Sequence, residues 1–415
     1  MSEEAPSNQE LLHDFRWLIG PEGDRWMKRA EEDGRAEPAV AKSLRRELSE
    51  QRTHLVLEQV ELRRRGRLKF ADAQRMFFTR LALEQATDQV VAAHKAGRFP
   101  PGDPCTDLCC GIGGDLLALA GRGPAVGVER DRVAALLASE NLRRLGHGEA
   151  SVAAADATAW VLHPAGCWHL DPDRRSNGRR STQLRWHSPD QAGIERLLAS
   201  SPHAAVKLAP AAEVPTSWQP RAECQWISRN RECRQLIVWF GRLAEAEGQR
   251  RATILRSDAL DGVPEVQSLS GRPGKPRETA DKVLRYVFEP DAAVLAADLT
   301  GALAQSLQLQ VLSVGGVYLT ADRPIADLGV ACFEVQDILP LDRKRLRRLL
   351  ADRRIGRLEI KQRGLSEDPE RLRRQLQLRG EAAAVLILTR LAGTVQAIVA
   401  RRVQPRELSP PQSVQ

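Results

Sequence analysis

The chain has 415 residues, 42% of them hydrophobic, with a formal net charge of +8 and a pI near 9.4. That length and composition suit a globular protein of two or three domains, and no apolar run approaches the length of a bilayer span. The excess charge is mostly arginine, which permits a polyanionic partner without establishing one. The opening "MSEEAPSNQELL" has the wrong chemistry for a secretory signal, and seven cysteines lack a regular framework. The expected location is the cytoplasm, with no membrane association.

Residues 9–98 carry apolar side chains at three- and four-residue spacing with no proline inside 39–97, which predicts helix almost throughout. Residues 1–98 are therefore expected as an N-terminal helical segment, with Met76, Phe77, Leu81, Val90 and Val91 in its core. From 99 to 258 short apolar runs alternate with helical ones. "TDLCC", "AVGVERD", "ASVAAAD", "CWHLDPD", "AAVKLAP", "RQLIVWFG" and "RATILR" read as strands, the last two as a candidate antiparallel edge. Strand–helix alternation predicts a parallel, doubly wound sheet. Residues 259–282, rich in Gly, Pro and charge, read as a linker or long loop. An α+β segment is expected over 283–405 and a disordered tail over 406–415.

The stretch "CTDLCCGIGGD" (105–115) places glycines at 111, 113 and 114 behind the first strand. Such a turn lets backbone approach a ligand closely. It is not the dinucleotide fingerprint, whose third glycine would fall at Leu116, and it lacks the Gly-Lys-Ser/Thr of a phosphate loop. Glu129, Asp156 and Asp171 end the next three strands, and ligands of doubly wound sheets bind at those ends. Glu129 lies 22 residues after Asp107, the spacing at which an acid accepts ribose hydroxyls, and Asp156 is placed for an adenine amino group. A ligand with adenine and ribose but no pyrophosphate fits best.

"DLCCGIGGD", "VGVERD", "AAAD" and "LDPDRR" together resemble the class I S-adenosylmethionine (SAM)-dependent methyltransferases. More narrowly the chain is similar to bacterial members with a C-terminal THUMP-like domain, through a "KF…FT…LEQAT" segment at 69–99 and "IKQRG…LTR" at 360–390. The loop also has a distant similarity to that of trimethylguanosine synthases. The resemblance implies a Rossmann-like seven-stranded sheet with a helical segment before it and a THUMP-like domain after it. It implies SAM as cofactor, with Asp107, Cys110, Gly111, Gly113 and Gly114 around its methionine end, Glu129 at the ribose and Asp156 at the adenine. No metal is implied.

Methyl transfer from a sulfonium needs alignment and dryness. Asp171 and Pro172 resemble the Asp-Pro-Pro-aromatic motif of enzymes that methylate exocyclic base amines. Here Asp173 replaces the second proline and Arg174 the aromatic, so stacking would pass to Arg174 or Trp186. Arg174, Arg175, Arg179 and Arg180 either clamp substrate phosphates or pair with Asp173 and surface acids. Lys207 either lines the crevice or is a solvated lysine. Adjacent Cys109 and Cys110 read as small loop residues, and "HPAGCWH" (163–169) as loop and strand rather than a metal site.

Residues 343–379 hold fourteen Lys/Arg against five Asp/Glu, leaving the rest of the chain near neutral. This stripe is either a phosphate-backbone footprint or a solvated helix face. The resemblance implies an RNA-positioning module, hence methyl transfer to structured RNA, at a base nitrogen. Two alternatives stand beside it: a methyltransferase of small molecules or proteins, and a silent SAM-fold RNA-binding protein.

Overall fold

Proline in the first turn starts the early helices of the N-terminal hundred residues, and side-chain caps start the later ones. Helices α1 (Asn8–Leu18), α2 (Pro21–Glu32), α3 (Glu37–Leu44), α4 (Glu50–Gly66), α5 (Arg80–Gln85) and α6 (Gln89–Ala96) follow one another. Ser49, Thr79 and Asp88 accept the backbone N–H three residues on, starting α4, α5 and α6. The single helical run expected over 39–70 is thus broken at Ser49, and residues 76–79 are not helical. Met76, Phe77, Val90 and Val91 are buried as expected, whereas Leu81 is 49% exposed.

The computed structural model describes residues 8–174, 181–275, 278–313, 316–363, 365, 367–391 and 393–404. The chain divides into a first unit of Met1–Glu223, Gln235–Gly248 and Ser257–Pro264, and a second of Cys224–Arg234, Gln249–Arg256 and Glu265–Gln415. That division differs from the boundaries expected at 258 and 283.

In the first unit, β1 (Cys105–Leu108), β2 (Ala125–Glu129), β3 (Ser151–Ala154), β4 (Cys167–Leu170) and β5 (Ala204–Leu208) are parallel in the order 3-2-1-4-5. Strand β7 (Glu232–Phe240) runs antiparallel beside β5. Helices α7 (Gly114–Ala120), α8 (Arg132–Arg144) and α9 (Gln191–Ser200) make the crossovers. This is the expected Rossmann-like sheet. Its order reverses at β1, so the crevice opens where β1 and β4 end. The helical segment packs there: Phe15, Leu18, Val56, Leu62, Phe77 and Phe78 share one core with Ile112, Val133 and Leu137.

In the second unit, β8 (Arg250–Arg256) pairs with β6 (Ala222–Arg229) and β9 (Glu265–Gly271), not with β7 as expected. Strand β9 occupies part of the expected linker. Strand β6, "AECQWISR", is buried along its whole length and went unread because its polar residues mask it. Three of its buried polar side chains have partners: Glu223 takes Arg98 at 2.8 and 3.1 Å, Gln225 donates to Thr253 Oγ1 at 2.7 Å, and Ser228 donates to Asp291 at 2.5 Å.

A second sheet has the order 11-12-10-13-16-15-14. Its strands are β10 (Tyr286–Pro290), β11 (Gln310–Val311), β12 (Leu319–Ala321), β13 (Val330–Pro340), β14 (Ile355–Gln362), β15 (Ala382–Leu391) and β16 (Thr394–Arg402). Helices α10 (Ala292–Ala296) and α11 (Thr300–Leu307) precede β11 and were not anticipated. Helices α12 (Arg343–Asp352) and α13 (Pro369–Leu376) flank β14, N-capped by Asp342 and Asp368. Leu346, Leu350, Leu372 and Leu376 seal them onto Leu358, Leu386 and Leu388. Residues 406–415 lie outside the described residues.

Asn141 of α8 ties the helical segment to the glycine loop. Its Oδ1 accepts from Phe77 N at 2.7 Å, and its Nδ2 donates to Phe77 O at 3.1 Å and Ile112 O at 3.0 Å. Asn141→Ala strands three buried backbone groups, so it should cost about 3 kcal/mol. Denaturant titration reads this as a lower midpoint at unchanged slope; a loss below about 1 kcal/mol would mean those groups find other partners.

Candidate cofactor and acceptor site

The turn after β1 is left-handed at three residues: Cys109 (φ 60°), Gly111 (φ 55°) and Gly113 (φ 90°). Glycine removes the cost of that conformation at two of them. No atom lies within 4 Å of where a Cβ on Gly111 would stand, so the turn faces open space there. Gly114 begins α7. On β2, a Cβ at Gly127 would come within 2.5 Å of Leu116 and 2.9 Å of Cys110 Sγ, so the loop packs down only because Gly127 has no side chain.

The turn borders a cleft of about 470 Å³, a size suited to a small organic ligand. Every residue singled out for the cofactor except Gly113 lines it: Asp107, Cys110, Gly111, Gly114, Glu129 and Asp156. So do Asp171, Pro172, Asp173 and Arg174. Arg175, Arg179 and Arg180 lie outside the described residues. Glu129 accepts N–H bonds from Gly111 and Asp131, both at 2.9 Å. Burial lifts its carboxyl above the usual range against the pull of those donors. Asp156 accepts from the Thr158 hydroxyl at 2.6 Å and the Thr158 N–H at 2.7 Å, bonds that hold it below its usual range.

Asp171, just past β4, meets Lys207 Nζ of β5 at 2.5 Å. Lys207 is buried, so it is not a solvated lysine, and its contact with the cleft runs through Asp171. Burial pulls its ammonium down, but Asp171 and Asp115 together outweigh this and raise it. Asp173 is paired with Arg130 at 2.9 Å.

Beneath the turn lies a fully buried polar network that the sequence reading did not assemble. Asp107 and His169 are register partners on β1 and β4. His169 Nδ1 stands 2.7 Å from Asp107 Oδ1, and its Nε2 stands 3.4 Å from Lys95 Nζ of α6. Lys95 also reaches Asp115 Oδ1 at 2.6 Å and Gln235 Oε1 at 3.1 Å, and Thr87 donates to Asp115 Oδ2 at 2.7 Å. Burial lowers Lys95 despite Asp115 and raises Asp107 despite His169. For Asp115 burial works upward, yet Lys95 and His169 hold it well below the carboxylate range. A lysine on the apolar face of α6, four residues after buried Val91, was the available signal.

His169 does not gather with His163 and Cys167. His163 Nδ1 accepts from Ala165 N, and Cys167 Sγ faces Arg242 at 3.2 Å. Among the described residues no group of His, Cys, Asp and Glu could hold a metal ion, and no helix is long and apolar enough to cross a membrane. Burial raises the thiols of Cys109 and Cys110 well above their ordinary value, with nearby carboxylates adding to it.

Residues 330–402 match the model of a THUMP domain-like family, and residues 11–66 match a domain of unknown function (DUF8688). Two curated proteins of Mycobacterium tuberculosis, strains CDC 1551 / Oshkosh and ATCC 25618 / H37Rv, are each 34% identical over 367 residues. The match covers 84% of this chain and 96% of each relative, and both are described as uncharacterized S-adenosylmethionine-dependent methyltransferases. The fold is also that of a crystal structure of a candidate methyltransferase from Porphyromonas gingivalis W83, at 21% identity and a TM-score of 0.71, covering 97% of this chain and 100% of that one. A glycine turn and strand-end acids around one cleft, in a chain matched by such relatives nearly end to end, make it a member of the class I SAM-dependent methyltransferases with a C-terminal THUMP-like domain, and SAM is its cofactor.

Proposed function

We propose that this methyltransferase acts on structured RNA, at a base nitrogen, with the THUMP-like domain holding the RNA backbone. The observation that carries the reading is the outer surface of α12 and α13. Lys344, Arg345, Arg348, Arg371 and Arg374 are exposed there, on the side away from the buried leucines. None of the five has a carboxylate within ion-pair distance among the described residues, unlike Arg343, Arg353 and Arg373. Unpaired arginines on one face suit phosphate contacts. Few aromatic side chains accompany them, so recognition runs through backbone and shape.

The cleft suits SAM on its own chemistry. A left-handed glycine turn faces open space, and Asp107 Oδ2 is buried without a hydrogen-bond partner. Asp107 would take the cofactor's ammonium, Glu129 its ribose hydroxyls and Asp156 its adenine amino group. The turn residues Cys110, Gly111 and Gly114 would lie against its methionine end, with Gly113 shaping the turn from behind. The bound cofactor supplies an electrophilic methyl group on a sulfonium. Asp171 would accept an amine hydrogen of the target base, aiming the nitrogen lone pair, while Lys207 holds one carboxylate oxygen. Pro172 would offer a carbonyl acceptor beside it. Arg174 would stack on the base or clamp its phosphate.

Three measurements bear on these roles. Glu129→Ala should weaken SAM binding by about 2 kcal/mol, roughly 30-fold, in a folded protein, since bonds to a charged group are lost. Unchanged calorimetric affinity would remove Glu129 from the ribose.

Asp171→Asn keeps an acceptor for Lys207 but loses the charge, so turnover should fall roughly 100-fold or more at near-normal SAM affinity. Asp173→Asn, whose partner is Arg130, should be milder. Finding Asp173 essential and Asp171 dispensable would overturn the placement of the acceptor. The assay uses radiolabelled SAM and RNA from a deletion strain, with nucleoside mass spectrometry to identify the product.

Reversing Arg345, Arg348, Arg371 and Arg374 to Glu should weaken binding to that RNA and flatten its log–log salt slope by roughly 2–3. Equal affinity before and after would return the stripe to a solvated face.

A further inference from the structure

The buried network suggests a role for the N-terminal helical segment beyond packing. Lys95 Nζ carries three protons and has three acceptors in reach: Asp115 Oδ1 at 2.6 Å, Gln235 Oε1 at 3.1 Å and His169 Nε2 at 3.4 Å. With Asp115 at 2.6 Å as the counter-charge of a Lys95 ammonium, which only donates, His169 Nε2 accepts and the ring proton sits on Nδ1. That proton is donated to Asp107 Oδ1 at 2.7 Å. The tautomer is thereby fixed, and one of the two carboxylate oxygens of Asp107 is fully used. The other, Oδ2, has no partner, and Asp107 is 1% exposed while lining the cleft.

Burying a half-satisfied carboxylate is costly unless a ligand completes it. The whole chain of donors runs one way, from Lys95 through His169 to Asp107. Register pairing of β1 with β4 supplies one link and the docking of α6 supplies the other.

We infer that Lys95 and His169 are positioning residues for cofactor binding: they orient Asp107 so that its free oxygen receives the α-ammonium of SAM. The inference rests on the placement of the methionine end proposed above. It makes α6 part of the cofactor site, although Lys95 itself touches no ligand.

The test compares S-adenosylhomocysteine with 5′-methylthioadenosine, which keeps adenine, ribose and thioether but lacks the amino-acid moiety. Calorimetry on the full chain measures both for the wild type, Asp107→Asn, His169→Phe and the pair Lys95→Met/Asp115→Asn. The paired variant removes one charge of each sign and so leaves no new lone buried ion. His169→Phe and the paired variant should each weaken S-adenosylhomocysteine roughly tenfold or more, the scale of a charge-assisted bond, and leave methylthioadenosine within about twofold. Thermal unfolding of each variant shows which of them is folded under the assay conditions.

Loss of both ligands by the same factor would make the network merely structural and overturn the inference. Undiminished discrimination in His169→Phe and in the paired variant, with discrimination lost in Asp107→Asn, would overturn the inference and leave the placement of the ammonium standing. Undiminished discrimination in Asp107→Asn would remove that placement, and the inference with it.

Discussion

A carboxylate placed at the floor of an apolar sheet must be met by donors, and the first unit is organised around meeting that demand. Asp107 stands one residue before the end of β1, where the strand order reverses, beside the cleft. Its in-register neighbour is a histidine and not another aliphatic residue. The histidine in turn needs a donor, which comes from α6, and that lysine needs a counter-charge, which comes from the first turn of α7. Four elements are thus positioned by one charge. The aliphatic packing around them excludes water, and this strengthens each of these contacts.

The fold was largely legible in the sequence because the sheet obeys simple periodicities. Five parallel strands with apolar runs of four or five residues, the first four closed by an acid or a glycine turn, leave little ambiguity. The misreadings share a physical origin. Strand β6 carries Glu223, Gln225 and Ser228 into the interior, each satisfied by a distant partner that no local pattern reveals. Strand β9 has alternate exposed residues and a glycine-rich neighbourhood, which imitates a loop.

The cleft was legible in part. Strand-end acids announce themselves by position, so Glu129, Asp156 and Asp171 were identified from spacing alone. Lys95 and His169 were not, because their importance lies in whom they face. A lysine in "VVAAHKAG" reads as surface, and only the docking of α6 against β4 brings it to a histidine 74 positions later. In the second unit the arginines of α12 and α13 were visible as a charge run. Only the structure separates those with carboxylate partners from those without one among the described residues.

The two cysteines of the glycine turn carry a chemical consequence for an enzyme that stores an alkylating agent. Sulfur nucleophiles react with sulfonium methyl groups as thiolates, and Cys109 and Cys110 border the cleft where such a donor would rest. Their burial and the neighbouring carboxylates keep both sulfurs protonated across the physiological range. Burial, with the same acids adding to it, would therefore protect the turn from self-alkylation. A tight loop could thus carry small, polarizable side chains beside the cleft without the enzyme consuming its own methyl donor.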